Sequence, residues 1–374
     1  MDRTPPNQVR KRRVFYIPGY DPFHPRRYRE LYRREGADQA KISGYSLDLK
    51  AKTTGDTFGW NVAGDIDGAQ VSAEFDVLLW SDIVRASMAG TIPGTYAQLV
   101  RTAWTYFSTG ALWRLMRLRK GPVIAALYPV GMLLGQLALA VALAALIRAG
   151  LARGIDAVMP SAGVAGNALA LVAGLGAAVA ALRLFKAKDN KLFAYYLMHD
   201  YAYSAQSRGA YPPELEQRMA QFGDAIAAAL DTDVDEVLVV GHSSGAHLAV
   251  SILSDLIRAG RVPSKGPHLA FLSLGQVVPM VSFLPQAHRL RADLQFLSTR
   301  DELVWVDVSA PGDGCAFALC DPVAVSGVAT KGKRWPLVFS AAFTQSLSAA
   351  RWKELRWRFF RLHFQYLCAF DRPR

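Results

Sequence analysis

Up to about residue 85 the apolar positions come in short runs cut by Gly, Pro and Asp, the pattern of strands and turns. Val14–Ile17 is an apolar strand stopped by Pro18-Gly19, and Tyr28–Arg34 has a helical pattern. Alternation over Tyr45–Lys50, Gly59–Ile66 and Val71–Leu79 predicts further strands, with Phe75–Trp80 buried. From about 86 to 190 the pattern changes. Residues 122–147 and 157–182 contain no charged side chain. Each run exceeds the roughly 20 residues that a helix needs to cross a bilayer. The second run carries small residues at every fourth position, Ala162, Gly166, Ala170, Gly174 and Ala178, which lets another helix approach closely in lipid. From about 192 to 374 helical and strand patterns alternate again. Leu215–Leu230 is helical, Glu236–Val240 a buried strand, and Ala246–Ala259 an amphipathic helix ending at Gly260. His268–Val278 and Leu303–Val308 are predicted strands, and Trp352–Tyr366 a basic, aromatic helix.

Strand, helix, strand in succession argues for a mainly parallel sheet with helices on its faces. The chain then divides into 1–113, the first part of an α/β domain, 114–191, a hairpin of two transmembrane helices, and 192–374, the second part of the α/β domain. Both outer ends of the hairpin are basic: Arg114, Arg117, Arg119 and Lys120 before it, Arg183, Lys186, Lys188 and Lys191 after it. The connecting loop, Arg148–Asp156, holds only Arg148 and Arg153 as cations. The positive-inside rule therefore places both flanking zones in the cytoplasm and the protein in the cytoplasmic (inner) membrane. The alternative is a buried helical hairpin within a soluble cap.

Composition agrees with contact to lipid. Hydrophobic residues make up 51% of the chain and charged ones 20%, and the mean hydropathy is +0.12. The formal charge of +12 favours anionic partners. Much of it flanks the apolar runs, so a membrane surface is expected and nucleic acid is not. The basic run Arg10–Arg13 is followed by too short an apolar stretch, Val14–Ile17, for a secretory signal. Cys315, Cys320 and Cys368 are odd in number and lack CxxC spacing, so neither a disulfide framework nor a zinc knuckle is expected.

The sharpest chemical signal is Gly241-His242-Ser243-Ser244-Gly245, set between a buried strand and a helix. A GxSxG elbow needs that context, because glycines let strand and helix crowd together and leave the serine exposed at a helix N-terminus. The alternative is a tight turn with a structural serine. A nucleophilic serine needs a base, and the base an orienting carboxylate, which on such an elbow follow in the order serine, acid, histidine. His24 and His199 precede the elbow, and His242 and His247 lie too close to Ser243 in sequence to reach back to it. His268 and His288 come before the best acids, leaving His363. Asp313, in the loop after Leu303–Val308, is the preferred acid, with Asp307 and Asp301 as open alternatives. The amide of Ser244 is one expected oxyanion donor and that of Tyr20, after Pro18-Gly19, a second.

Together, Gly241–Gly245, the Ile17–Tyr20 loop, Asp313 and His363 resemble the α/β-hydrolase superfamily in its lipase/esterase branch. The resemblance covers roughly two-thirds of the chain; the hairpin and the missing His-Gly-Gly form of the early loop depart from it. It implies carboxylic-ester hydrolysis through an acyl-enzyme, on a lipid or other acyl ester, with no metal or organic cofactor. Two other expectations stand beside this one: a non-catalytic membrane scaffold with a hydrolase-like domain, and an acyltransferase on the same fold.

Overall fold

Apolar runs with no polar alternation suit strands covered on both faces, and the centre of the sheet is built from such runs. The computed structural model describes residues 9–53, 55 and 57–372. Its strands are β1 (Lys11–Ile17), β2 (Ser46–Ala51), β3 (Gly59–Ile66), β4 (Ala69–Val77), β5 (Glu236–His242), β6 (His268–Leu274), β7 (Leu303–Ser309) and β8 (Leu337–Ser340). They form one sheet in the order β2-β3-β4-β1-β5-β6-β7-β8. The β2-β3 and β3-β4 pairs are antiparallel; every pair from β4-β1 to β7-β8 is parallel. The protein is thus an α/β fold with a mostly parallel sheet flanked by helices. In β1 the residues Val14, Phe15, Tyr16 and Ile17 are all buried. The helix Gly245–Arg258 leaves only Asp255 and Arg258 exposed. It packs on β5 and β1 and between the helices Pro213–Leu230 and His288–Leu297.

The chain forms two compact units. The sheet lies in the first, residues 1–86, 107–123 and 207–374; the second comprises 87–106 and 124–206. The second unit adds to the two apolar helices the helix Ala194–Gln206 and most of Ile92–Ser108. Its core joins Leu99, Leu133, Tyr195 and Met198. The helix Lys120–Val158 and the segment Pro160–Ala187 are long and apolar enough to cross a membrane, and only 17% and 11% of their apolar windows is buried. A core helix of a soluble protein would be mostly covered. Two glycines of the small-residue stripe lie close against the neighbouring helix. A Cβ at Gly166 would stand 2.6 Å from Ile155 Cγ2, and one at Gly174 2.6 Å from the Ala144 carbonyl oxygen.

Several elements differ from the sequence reading, among them the first helix, read at Tyr28–Arg34 and spanning Arg26–Ser43. The stretch 148–156 is helical: Arg148, Ala149, Leu151, Ala152 and Arg153 are good helix formers and outweigh Gly150 and Gly154, and the chain reverses only at Met159–Ala162, where Pro160 stands. β6 ends at Leu274, because Gly275 takes a left-handed φ of 54° and Pro279 then opens the short helix Val278–Ser282. The C-terminal stretch is broken into Ala349–Leu355, Phe359–His363 and a 3₁₀ turn at Gln365–Leu367.

Candidate active site

The elbow is shaped by what glycine permits. A Cβ at Gly241 would lie 2.7 Å from Ala246 Cα, and one at Gly245 2.1 Å from the Ile17 carbonyl oxygen, so strand and helix meet only without side chains there. Between them Ser243 takes a φ of 56°, a left-handed conformation that costs a non-glycine residue about 1–3 kcal/mol. Its amide donates to the Leu274 carbonyl at 2.9 Å, tying the turn to the end of β6. Ser243 is half-buried. Ser244, the N-cap of Gly245–Arg258, is buried and precedes the helix's own amide donors. Because β1 pairs with β5, the loop after β1 runs beside the elbow. A Cβ at Gly19 would lie 3.0 Å from Ser243 Cβ and 3.4 Å from its Oγ. Tyr20 follows, its ring buried edge-on to Trp80.

The acid and the histidine meet. The loop after β7 carries Asp313, 1% exposed, and the short helix Phe359–His363 ends in His363, 7% exposed. His363 Nδ1 lies 2.7 Å from Asp313 Oδ2. The Cys315 amide donates to Asp313 Oδ1 at 2.9 Å, and the Tyr366 hydroxyl donates to Oδ2 at 3.0 Å. Tyr366 in turn accepts from the Ala310 amide at 3.0 Å, pinning the start of the same loop. Burial pushes the Asp313 carboxyl up, but the adjoining His363 and the hydrogen bonds from His363, Cys315 and Tyr366 outweigh it and hold the carboxyl below its ordinary value. Burial, with Asp313 beside it, keeps Tyr366 a neutral donor well above the usual phenol range.

His363 also touches the elbow through its backbone. His242 Nε2 donates to the His363 carbonyl at 3.0 Å, and the two rings lie 4.9 Å apart. Burial, and secondarily His363, pushes His242 down to about 3, so it stays neutral with its proton on Nε2. The His363 Cε1 stands 3.2 Å from where a Cβ would lie at Gly275, the residue after the partner of the Ser243 amide. Serine turn and imidazole therefore share the same end of the sheet.

The alternative acids lie elsewhere. Asp307 is fully buried within β7, accepts from Ser273 Oγ at 2.5 Å and is pushed up to about 7 by burial. Asp301 is an exposed partner of Arg334. His247 bonds Tyr211, and His199 bonds Gln98 in the second unit. Tyr366, His242 and Gly275 were not singled out in the sequence. The first had a signal, since it stands one helical turn beyond His363. Asp313, Cys315 and His363 also bring three ligand-type atoms within 4.8 Å of one another. The short Asp313–His363 bond is equally the contact that orients a histidine base. Compared with protein-family models, with curated proteins and with solved structures, the chain matches none.

Proposed function

We propose that this protein is a membrane-anchored serine hydrolase of the α/β-hydrolase type that cleaves carboxylic esters. The observation that carries the reading is the Asp313–His363 bond of 2.7 Å, on a histidine whose backbone is tied to the residue before Ser243. The left-handed Ser243 between two obligatory glycines supports it further. In the proposed reaction His363 takes the Ser243 hydroxyl proton as the oxygen attacks the ester carbonyl. The Ser244 and Tyr20 amides receive the negative charge that develops on the carbonyl oxygen. Collapse expels the alcohol, which leaves with the proton from the imidazolium. Water, deprotonated by the same imidazole, then releases the acid and restores Ser243. Asp313 stays ionised throughout and holds the ring in one tautomer. The two apolar helices anchor the enzyme in the cytoplasmic membrane, and the basic residues at their outer ends favour a cytoplasmic sheet-bearing unit.

The test is labelling of the full chain in lipid nanodiscs by a fluorophosphonate probe. Wild-type protein is expected to label and Ser243→Ala not to. Folded wild-type protein that stays unlabelled would turn the reading toward a non-catalytic scaffold. Product analysis with added glycerol separates hydrolysis from acyl transfer. A chelator is expected to leave the rate unchanged; a loss restored by one metal would reassign Asp313, Cys315 and His363 as ligands.

A further inference from the structure

The loop that carries Asp313 is bound to the root of the first apolar helix. Arg119, extended between the helix Ala111–Leu118 and the helix Lys120–Val158, donates from Nη1 to the Ala318 carbonyl and from Nη2 to the Pro311 carbonyl, both at 3.1 Å. One guanidinium thus ties Pro311 to Ala318 across the loop that carries Asp313. Two residues on, a Cβ at Gly121 would lie 3.7 Å from the Gly314 carbonyl oxygen. On the other side of Gly314 a Cβ would meet Phe359 Cδ1 at 3.2 Å. The start of the apolar helix, the acid loop and the segment leading into His363 are therefore packed together. All of them, Lys120–Val123 included, belong to the sheet-bearing unit.

The side chains around this junction are unlike an ordinary solvated surface. Trp113 is 57% exposed, Trp357 73% and Phe359 48%. Arg117 and Lys120 are exposed beside Trp113 in sequence, and Arg356 lies against the Trp357 ring at 5.7 Å. Between 351 and 361 the cations are Arg351, Lys353, Arg356, Arg358 and Arg361, and Glu354 is the lone acid. Bare indoles among cations match the headgroup layer in both parts of its chemistry. The rings suit the boundary between headgroup and acyl chain, and the cations suit anionic phosphates.

We infer that this surface, with Trp113, Arg117, Lys120, Arg356, Trp357 and Phe359, rests on an anionic bilayer surface. The Asp313–His363 side of the site is thereby held at headgroup level, and the ester it takes is an amphiphile that arrives from the membrane. The first part stands on the surface alone; the second rests on the proposed hydrolase activity.

The experiment uses the full chain in nanodiscs doped with brominated lipid. Tryptophan quenching is compared between wild type and Trp357→Phe, in anionic and in zwitterionic discs. The quenched fraction is expected to fall in Trp357→Phe, and the difference to shrink in zwitterionic discs. Equal quenching of the two proteins overturns the docking. In parallel, turnover of a diacyl lipid ester in the disc is compared with that of a soluble short-chain ester. Arg356→Gln is expected to lower the ratio of the two roughly fivefold in anionic discs, the effect of one lost cation near such a surface. An unchanged ratio, with quenching as expected, overturns the membrane origin of the substrate and leaves the docking. Turnover of neither ester by wild type removes the hydrolase reading and leaves the quenching result to decide the docking.

Discussion

Ser243 holds a conformation that glycine adopts freely and serine does not. Strain at such a position persists only when its surroundings impose it. Ser243→Gly is therefore expected to unfold no earlier than wild type in a thermal scan, while losing all probe labelling. A large drop in Tm would show that the hydroxyl itself, rather than the turn, stabilises the elbow. Asp313→Asn keeps the size of the side chain but removes the charge that orients His363. The expected loss in kcat is roughly 10³–10⁴-fold. Acid sensitivity follows from the buried groups around the site. His242 and His247 are both pushed down to about 3, chiefly by burial. Below pH 6.5 the unfolded chain binds protons that these folded imidazoles refuse, so stability falls toward pH 3 by about 1.4 kcal/mol per unit for each. Asp307, raised by burial to about 7, acts in the opposite sense. Its contribution is complete below its unfolded value of 3.8 and is lost as pH rises to 7. Asp307→Asn should therefore steepen the loss of stability between pH 6.5 and 4, measured as Tm against pH. An unchanged slope would mean that Asp307 is ionised in the folded protein across that range.

Strands and helices were legible where pattern and punctuation agree. β1 and β5 are apolar runs closed by Pro18-Gly19 and by the elbow, and β7 is followed by Pro311-Gly312, so the runs end where backbone chemistry ends them. The short β8 at the sheet's edge has only one half-buried position and gave no such signal. The far end of the first apolar helix was hidden for a different reason. Charge marked where lipid contact should stop, but the helix runs on through Gly150 and Gly154 to Val158 and ends only before Pro160. At the C-terminus the periodicity was helical, yet the chain turns between Leu355 and Phe359, and Leu355 and Leu362 on either side of the turn share one buried cluster with Phe343. The site was legible in part. Chain order singled out His363, but it left Asp313, Asp307 and Asp301 open, because only the folded loop decides which carboxyl the imidazole meets. The Tyr366 bond to Asp313 was out of reach for the same reason. Helix packing in the second unit gives an element-scale prediction. At Gly174 a side chain would collide with the Ala144 backbone, which cannot move without breaking its helix. Gly174→Leu should lower the Tm of the protein in detergent by the equivalent of about 1–3 kcal/mol, the usual cost of overpacking. Gly176→Leu, where a Cβ meets nothing within 4 Å, is the control that should leave it unchanged.

At the scale of the whole chain, helix length and charge together fix how it would lie in a membrane. The helix Lys120–Val158 has 39 residues, so it is roughly 58 Å long at the usual rise of about 1.5 Å per residue. The hydrocarbon core is only about 30 Å thick. The returning helix Gly163–Ala187 is shorter: Gly174 packs on Ala144 and the Tyr128 hydroxyl donates to the Leu192 carbonyl, so Arg183 and Lys186 stand between those levels, and the stretch 122–147 does not lie in hydrocarbon over its whole length. Arg148 and Arg153 are few against the cations that flank the outer ends, so the sign of the bias survives the lengthened helix. The reversal is thus expected outside the cytoplasm, and Cys315, Cys320 and Cys368, all in the sheet-bearing unit, inside it. Ser161→Cys, at the reversal, tests this with a membrane-impermeant maleimide applied to intact cells. The variant should label before lysis, while wild-type protein should label only afterwards. Labelling of the wild type in intact cells would place the sheet-bearing unit outside. No labelling of Ser161→Cys before lysis, with full labelling after it, would mean that the two long helices do not span the bilayer.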